Sequence, residues 1–324
     1  MTEDNKFVLG AYSSGICVSE EEASKITLVP LPKSFFISVS KLHKELAKKP
    51  LEIDKPLEVN VSSKKQNNIF VALQVMNGIT GDTIQLSHYE IKLIDVIGTL
   101  VYKQPESSKN ITVDQIYRTI IGQPGSKKHA SAKFKNQLIS NMRKLGSIWV
   151  KVDFSQHYEG RNKALEKKGL PAIEDTLTGK EFQLLNFEIN YTDSGTTYFK
   201  FAENPPLYRY SSDVGNMITS DFKLLQTPEE VKNPFDGFAL TTYFIDRINS
   251  IKNNPSAKNM NIINFSTLIE MIEHNNSYKL TATKKRTLRK NVVAILDNLV
   301  QKGALSDYSI TDGQISKQKI TLNL

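Results

Sequence analysis

Two windows of the sequence are rich in lysine and arginine and contain no aspartate or glutamate. They are residues 115–152 and residues 274–296, and the second includes KLTATKKRTLRK at 279–290, with six basic residues in twelve positions. Basic side chains without neighbouring acids are suited to nucleic-acid phosphates, because they replace the counterions condensed there. The windows therefore predict a polyanion partner, and the net charge of +8 agrees with that prediction.

Residues for other chemistries are missing or scattered in the sequence. The chain has one cysteine, Cys17, and five histidines that form no closely spaced pair, so we expect neither a zinc site nor a metal-dependent nicking site. No phosphate-binding loop of the form G-x-x-x-x-G-K-[ST] occurs, and neither G-x-S-x-G nor H-E-x-x-H occurs. We therefore expect a protein that is not an enzyme and that uses no metal and no cofactor.

Length and composition indicate a globular protein of more than one domain. The chain has 324 residues, of which 39 % are hydrophobic and 23 % are charged. No apolar run reaches the roughly 18 residues that a membrane span needs. The N-terminus lacks the pattern of an export signal. We expect a cytoplasmic protein without a membrane partner.

Each basic window lies on a predicted helix that follows two other helices and precedes a strand. In the first copy the helices are HYEIKLIDVIGTLVY, ITVDQIYRTI and ASAKFKNQLISNMRKLG, and the strand is SIWVKVDF. In the second copy the first two helices are FALTTYFIDRINSIKN and NIINFSTLIEMIEH. The third carries an apolar stripe at Leu288, Val292, Ile295 and Leu299, and a hairpin with the turn pair Asp312-Gly313 follows it. The copies lie about 155 residues apart, and such repetition indicates one architecture used twice.

Three helices followed by a β-hairpin form a winged helix, in which the third helix enters the major groove and the hairpin contacts DNA beside it. The fold prediction is therefore α+β, with tandem winged-helix (helix-turn-helix plus β-hairpin) domains and an N-terminal extension. The predicted extension covers residues 1–60, and the sequence indicates no role for it. The first winged-helix domain covers 61–210, with an inserted loop near 155–180, and the second covers 211–324.

The candidate DNA-binding residues belong to the basic helices, to the loops before them and to the last hairpin. They are cations that bind phosphate, or amides, hydroxyls and arginines that can read base edges. They are Lys127, Lys128, Lys133, Asn136, Gln137, Ser140, Arg143, Lys144, Lys279, Lys284, Lys285, Arg286, Arg289, Lys290 and Lys317. A basic helix face is also compatible with a solvated surface. An interaction or structural protein without specific DNA binding is therefore an alternative.

Several segments resemble parts of known replication initiators. They are LSHYEIKLIDVIGTLV, ITVDQIYRTIIGQPG, NPPLYRYSSDVGNMITSDFKLL and KKRTLRKNVVAILDNLVQKGAL. They are similar to segments of the winged-helix replication initiators of theta-replicating plasmids and mobile elements, the RepA/RepE type and the initiator-like proteins of Gram-positive plasmids. The resemblance covers about residues 60 to 324.

The resemblance implies a function as well as a fold. Each winged domain would bind half of a short repeated site in double-stranded DNA at an origin of replication. Homodimers would repress the protein's own gene, whereas monomers would open the origin and recruit host replication proteins such as the helicase. The resemblance places the helices with Lys133 to Lys144 and Lys284 to Lys290 in DNA grooves, and makes the hairpin from Tyr308 to Ile320 a wing. A winged-helix transcription regulator is the alternative, because initiators also repress transcription.

Overall fold

The structure is a computed structural model of the chain, and it combines α-helices with small antiparallel sheets. It describes residues 57–60, 70–75, 86–102, 104, 109–153, 155–174, 180–193, 195–206, 208–209, 222–253, 255, 259–276 and 278–324. The α+β fold class predicted from the sequence is confirmed. Cys17 and most of the predicted N-terminal extension lie outside the described residues.

The elements of the first part of the chain are helices α1 to α4 and strands β1 to β7. In chain order they are β1 (Leu57–Asn60), β2 (Phe70–Val75), α1 (His88–Tyr102), β3 (Lys109–Thr112), α2 (Val113–Ile120), α3 (Ala132–Gly146), β4 (Ile148–Asp153), α4 (Ser155–Glu166), β5 (Lys180–Gln183), β6 (Phe187–Tyr191) and β7 (Thr197–Phe201).

The second part of the chain begins with a one-turn 3-10 helix at Phe222–Leu225. It continues with α5 (Pro234–Asn253), β8 (Ile262–Asn264), α6 (Phe265–Asn276), α7 (Ala282–Gln301), β9 (Asp307–Ile310), a 3-10 turn (Ile315–Lys317) and β10 (Lys319–Asn323).

The two parts repeat one order of elements: a helix, a strand, two helices and a hairpin. We call α1, β3, α2, α3, β6 and β7 the first unit, and α5, β8, α6, α7, β9 and β10 the second unit. In each unit the strand after the first helix pairs antiparallel with the last strand, which gives the sheet orders β3-β7-β6 and β8-β10-β9. The repeat predicted from the sequence is therefore present in the topology, with one strand per unit that was not predicted.

The strand that follows α3 is not part of the hairpin of the first unit, contrary to the repeat order predicted from the sequence. β4 pairs with β2 and β5, and these strands and β1 form a separate sheet of order β1-β2-β4-β5. The hairpin of the first unit is β6–β7, which follows later in the chain. Part of the predicted inserted loop is also not a loop, because α4 forms there. Asn162 of α4 accepts a hydrogen bond from the Ile173 N–H at 2.8 Å and holds the following segment against the helix.

Side-chain caps define where the helices of the units begin. Before α2, Thr112 and Gln115 form a capping box, in which the Thr112 N–H donates to Gln115 Oε1 at 2.6 Å. Ser131 before α3 and Thr281 before α7 each accept a hydrogen bond from the N–H of the third helical residue. Gly303 lies just past the C-terminal end of α7 with φ of +69°, a conformation that glycine adopts without steric cost.

The two units pack against each other through α1, α3 and α5. The Tyr89 ring of α1 meets the Phe235 ring of α5 edge-on at 4.9 Å, and the Phe134 ring of α3 stacks on Phe235 at 4.6 Å. Lys92 of α1 forms an ion pair with Asp246 of α5 at 2.8 Å. The buried apolar residues of both units form one continuous core. The position of α3 is therefore fixed by contacts with the second unit as well as with its own.

The predicted domain boundaries stay predictions. Residues 210–221, which would contain the boundary between the two winged-helix domains, lie outside the described residues. Within the described part of the chain, no helix has both the length and the apolar character that crossing a membrane requires.

Candidate nucleic-acid interface

Helix α3 presents a polar stripe to solvent on the side opposite its buried residues. The buried apolar residues include Phe134, Leu138, Met142 and Leu145. The exposed stripe contains four residues that the sequence predicted to bind DNA, and these are Lys133, Asn136, Ser140 and Arg143. Their spacing of three, four and three residues places them on one face of the helix. The structure therefore brings these four predicted residues together.

Two other predicted residues of α3, Gln137 and Lys144, are half-buried. Lys144 Nζ lies 2.8 Å from Glu90 Oε1, and the Glu90 side chain is only 6 % exposed. Glu90 Oε2 also accepts a hydrogen bond from the Ser87 N–H at 2.7 Å, at the start of α1. Lys144 thus neutralises a buried carboxylate. It contributes less positive potential to solvent than the exposed cations of α3 do.

The loop before α3 carries the predicted residues Lys127 and Lys128, both exposed. Asp114 in the first turn of α2 fixes the end of this loop. Its Oδ1 accepts a hydrogen bond from the Ala130 N–H at 2.9 Å, and its Oδ2 lies 2.6 Å from His129 Nδ1. The two lysines are therefore held next to the start of the exposed stripe of α3.

Arg118 also lies in the first basic window, but its side chain has a structural role. Its side chain is buried, and its guanidinium donates to the carbonyl oxygens of Asp114 at 3.1 Å and Ser126 at 2.8 Å. It holds α2 to the loop before α3. Its position in an acid-free window did not indicate this role, because its partners are backbone atoms.

Helix α7 also exposes cations on the side away from the core. Its buried residues are Leu288, Val292, Ile295, Leu296 and Leu299. Its exposed cations were all predicted from the sequence, and they are Lys284, Arg286 and Lys290. Lys285 is half-buried in the first turn, and Asp297 is exposed in the C-terminal half. The positive surface of α7 is therefore its N-terminal half.

The hairpin turn of each unit is held by a hydrogen-bonded side chain. Arg289 of α7 is half-buried and donates to Gln318 Oε1 at 3.1 Å, and Gln318 Nε2 donates to Gly313 O in the turn of β9–β10 at 3.2 Å. In the first unit, Lys135 of α3 donates to Gly195 O in the turn of β6–β7 at 2.9 Å. These bonds link the third helix of each unit to its hairpin. Sequence reasoning missed Lys135 and Gln318, because their acceptors are backbone oxygens in the turns.

The remaining predicted residues, Lys279 and Lys317, lie outside the two helices. Lys279 Nζ lies 2.9 Å from Glu273 Oε2, but its side chain is 91 % exposed and water screens the pair. The hydrogen bonds that Lys279 and the Leu280 N–H donate lower the pKa of Glu273 below its ordinary value. Lys317 is exposed in the 3-10 turn of the β9–β10 hairpin.

A cleft of about 820 Å³ lies beside α3, between the two units. Sequence reasoning did not find this cleft, because residues distant in the chain form it. Its polar lining includes Lys133, Gln137, Asn141 and Lys144 of α3, together with Lys232 and Tyr278 of the second unit. His274 lines it as well, and burial lowers the pKa of His274, with the nearby Glu90 acting in the opposite direction.

The cleft borders the first turn of α3, and one of its lining residues contacts the first turn of α7. Lys133 lies in the first turn of α3 and lines the cleft. Tyr278 also lines it, and Lys284 Nζ in the first turn of α7 lies 3.8 Å from the centroid of the Tyr278 ring, within cation–π distance. The cleft therefore lies at the start of α3, and its residue Tyr278 contacts Lys284 at the start of α7.

In the part of the chain that the structure describes, no three histidine, cysteine, aspartate or glutamate residues are grouped so that they could hold a metal ion. The described residues thus define an α+β protein of two topologically similar units, each with cations on the exposed face of its third helix.

Comparisons with known proteins give weak similarity only. No protein-family model matches the chain, and no curated protein matches it. Among solved structures, SeMet derivatives of domain 2 and domain 3 of RctB are similar over 86 % of this chain and 96 % of that chain, with a TM-score of 0.38 and 8 % identity. A second crystal structure of the RctB domains 2-3 has the same coverage, a TM-score of 0.39 and 6 % identity. Similarity at this level does not assign the chain to a family.

Proposed function

We propose that the chain is a sequence-specific double-stranded DNA-binding protein that initiates replication of a plasmid or mobile element, and that it does so without enzymatic activity. The observation that carries the proposal is the repeated order of elements with exposed cations on the third helix of both units. Helix, strand, helix, helix and hairpin, with the first strand paired to the last, is the arrangement of a winged helix. We therefore propose that each unit is a winged helix.

In this proposal each third helix lies in a major groove. Asn136 on α3 has the amide geometry that pairs with adenine, and Arg143 and Arg286 have the guanidinium geometry that pairs with guanine. Lys133 and Lys290 would contact phosphates, which fix the position of the helix on the duplex but do not read sequence. The exposure of all five side chains supports these roles.

The hairpins of both units expose charged side chains of both signs. The second hairpin exposes Lys317 and Lys319 together with Asp307 and Asp312. The first hairpin exposes Asp193 and Glu188 together with Lys200, whose Nζ lies 3.9 Å from Glu188 Oε2. Cations bind backbone phosphate whereas exposed carboxylates repel it. In line with the sequence resemblance, we propose that the β9–β10 hairpin contacts the backbone through Lys317 and Lys319.

Replication initiation is supported by the sequence resemblance to plasmid initiators. Two DNA-contacting helices on one chain fit a repeated origin site with two half-sites. In line with that resemblance, we propose that a homodimer represses the protein's own gene and that host replication proteins such as the helicase are recruited at the opened origin. The cytoplasm is the compartment in which these partners occur.

The first experiment is a fluorescence anisotropy measurement with duplexes tiled across the DNA that flanks the gene. Shuffled duplexes serve as controls, and each is measured over a salt series. We expect one repeated segment to bind at least about 1000-fold more tightly than its shuffled control, with a steep salt dependence. Equal, weak binding to every duplex would contradict the proposal and favour an interaction protein with a solvated basic surface.

A second experiment separates an initiator from a transcription regulator. The gene and its flanking DNA are placed on a plasmid that has no other origin active in the host. Replication of this plasmid supports initiation, whereas repression of a reporter without replication favours the regulator. The proposed absence of enzymatic activity is tested by incubating supercoiled DNA with the protein and Mg²⁺ or Mn²⁺. Metal-dependent nicking of the DNA would contradict it.

A further inference from the structure

The cleft between the units carries positive charge beyond the two basic windows. Lys232, two positions before α5, is exposed and lines the cleft, yet it lies in neither window. Among the described residues that line the cleft, only Glu90 is acidic, and it is paired with Lys144. Lys133 and Lys232 are therefore the exposed cations of the cleft, and no carboxylate in its lining is left to offset them.

The lining also supplies neutral hydrogen-bond donors. Gln137 and Asn141 of α3 face the cleft, as do Asn233 and Asn276 of the second unit. Asn276 has no N–H left for a ligand, because its Nδ2 donates to Asp236 Oδ1 and to the Ile272 carbonyl oxygen, both at 2.9 Å. Asn233 keeps one N–H, because its Nδ2 donates to Asp236 Oδ2 at 2.8 Å. Lysines together with amide donors suit a phosphate group, which accepts hydrogen bonds and carries negative charge.

We propose that this cleft binds the DNA backbone between the two grooves occupied by α3 and α7, with Lys232 as its main contact to phosphate. The inference rests on the proposed function, since it takes both basic helices to lie on one duplex. Lys133 in the first turn of α3 lines the cleft, and Tyr278 of its lining contacts Lys284 in the first turn of α7. A backbone that runs from the start of α3 to the start of α7 therefore passes the cleft and meets Lys232.

Lys232→Gln tests the inference, with Lys252→Gln as a matched control. Lys252 is also exposed, but it lies near the C-terminal end of α5, whereas Lys232 precedes the N-terminal end. Each substitution removes one positive charge, so any effect of net charge on binding is the same. Binding is measured by anisotropy on the tiled duplex with the highest affinity and on a mixed-sequence duplex of equal length.

The salt dependence gives the expected magnitude. Loss of one phosphate contact reduces the slope of log K against log salt by about 0.9, so the ratio of the Kd values of Lys232→Gln and wild type should fall about 3.5-fold between about 50 and 200 mM salt. Lys252→Gln should leave the slope at its wild-type value. If the two variants have the same slope and the same affinity, Lys232 makes no phosphate contact and the inference is overturned.

Methylphosphonate substitution locates the contact. A neutral methylphosphonate is placed at one backbone position after another in the segment between the two half-sites. At one or two neighbouring positions we expect the substitution to weaken wild-type binding and to leave Lys232→Gln binding unchanged, because the contact is already lost. If both proteins respond alike at every position, no phosphate lies at Lys232 and the inference is overturned.

Pyrophosphate distinguishes the DNA backbone from a small phosphate ligand. If Lys232→Gln weakens binding of pyrophosphate but has wild-type affinity for both duplexes, the cleft serves a small anion and the inference is overturned. The inference and the proposed function can fail separately. If the wild-type protein binds all duplexes with the same affinity, the proposal of sequence specificity is contradicted. In that case the cleft contact is still supported if the salt slope of Lys232→Gln on the mixed-sequence duplex is smaller than that of the wild type.

Discussion

The ion pair between Lys144 and Glu90 should make Lys144 important for stability rather than for DNA binding. The Glu90 side chain is 6 % exposed, and Lys144 Nζ lies within 2.9 Å of both of its carboxylate oxygens. Lys144→Met would remove this cation and leave the carboxylate in a buried position beside a thioether. Breaking a buried pair on one side costs about 3–5 kcal/mol, because the other charge stays uncompensated.

The geometry places the expected cost below that range. Lys144 is 29 % exposed, so water can reach part of the space that its ammonium group leaves. Glu90 also keeps the hydrogen bond from the Ser87 N–H. We therefore expect Lys144→Met to lower the free energy of unfolding by about 2 kcal/mol, measured by urea denaturation followed by circular dichroism.

Arg143→Met is the matched control on the neighbouring residue. Arg143 is exposed on the polar stripe, so its substitution should change the free energy of unfolding by less than about 0.5 kcal/mol. In the anisotropy assay the order should reverse, with Arg143→Met weakening binding to the specific duplex more than Lys144→Met does. The substitution Glu90→Gln should reduce the cost of Lys144→Met, because it removes the buried charge that Lys144 neutralises. If Lys144→Met is as stable as Arg143→Met but loses more DNA affinity, the assignment of Lys144 to the fold is refuted.

Three further substitutions test other parts of the structure. Arg286→Ala, at an exposed position on α7, should weaken binding to the specific duplex by about 1–3 kcal/mol if its guanidinium reads a base, and anisotropy with matched and mutated duplexes checks this. Leu288→Ala, at a position that is 4 % exposed, should destabilise the protein by about 2–5 kcal/mol in urea denaturation, and wild-type stability would show that the buried stripe is wrongly assigned. Burial and the nearby Lys92 lower the pKa of His88 from 6.5 to about 4. Between pH 6.5 and about 4, His88 is therefore protonated in the unfolded chain but neutral in the folded protein. Stability should therefore fall by up to about 3 kcal/mol as the pH drops from 6.5 toward 4, and His88→Gln should remove this part of the pH dependence.

The helices were predictable because their apolar residues recur with the helical period. The predicted segment HYEIKLIDVIGTLVY coincides with α1 (His88–Tyr102), and the basic third helices are found as α3 and α7. Strands β3 and β8 were assigned to the start of the following helix instead. They have four and three residues, which is too short for an alternating pattern to differ from the first turn of a helix.

Strand pairing was not predictable, because it depends on residues far apart in the chain. The alternation in SIWVKVDF correctly indicates a strand, β4. It does not indicate that Val71 and Glu181 lie opposite Val152 and Lys151, in a sheet separate from that of the first unit. A strand pattern identifies the buried face and not the partner. From the sequence, the strand after α3 was therefore assigned to the first winged helix, whereas the hairpin of this unit is β6–β7.

The same distinction applies to the candidate site. Spacing placed six residues of α3 on one outward face. The structure exposes four of them, Lys133, Asn136, Ser140 and Arg143, whereas Gln137 and Lys144 are half-buried. Spacing could not show that Lys144 pairs with the Glu90 carboxylate, 54 positions earlier in the chain. It also could not show that Arg289 donates to the Gln318 amide oxygen, 29 positions later. Local sequence thus predicts which side chains leave the core. Tertiary contacts decide which of them remain available to a ligand.

The packing between the units has a consequence for DNA recognition under the proposed function. Stacking of Phe134 on Phe235 fixes α3 relative to α5, and the ion pair of Lys92 with Asp246 fixes α1 relative to the same helix. Once one third helix is bound, the other is already close to its half-site, so its binding is intramolecular and costs little further entropy. A flexible linker would give a similar gain over a range of half-site spacings. Packed helices give this entropic gain only at the half-site spacing that matches their geometry. The interface between the units would therefore contribute to specificity although none of its residues contacts a base.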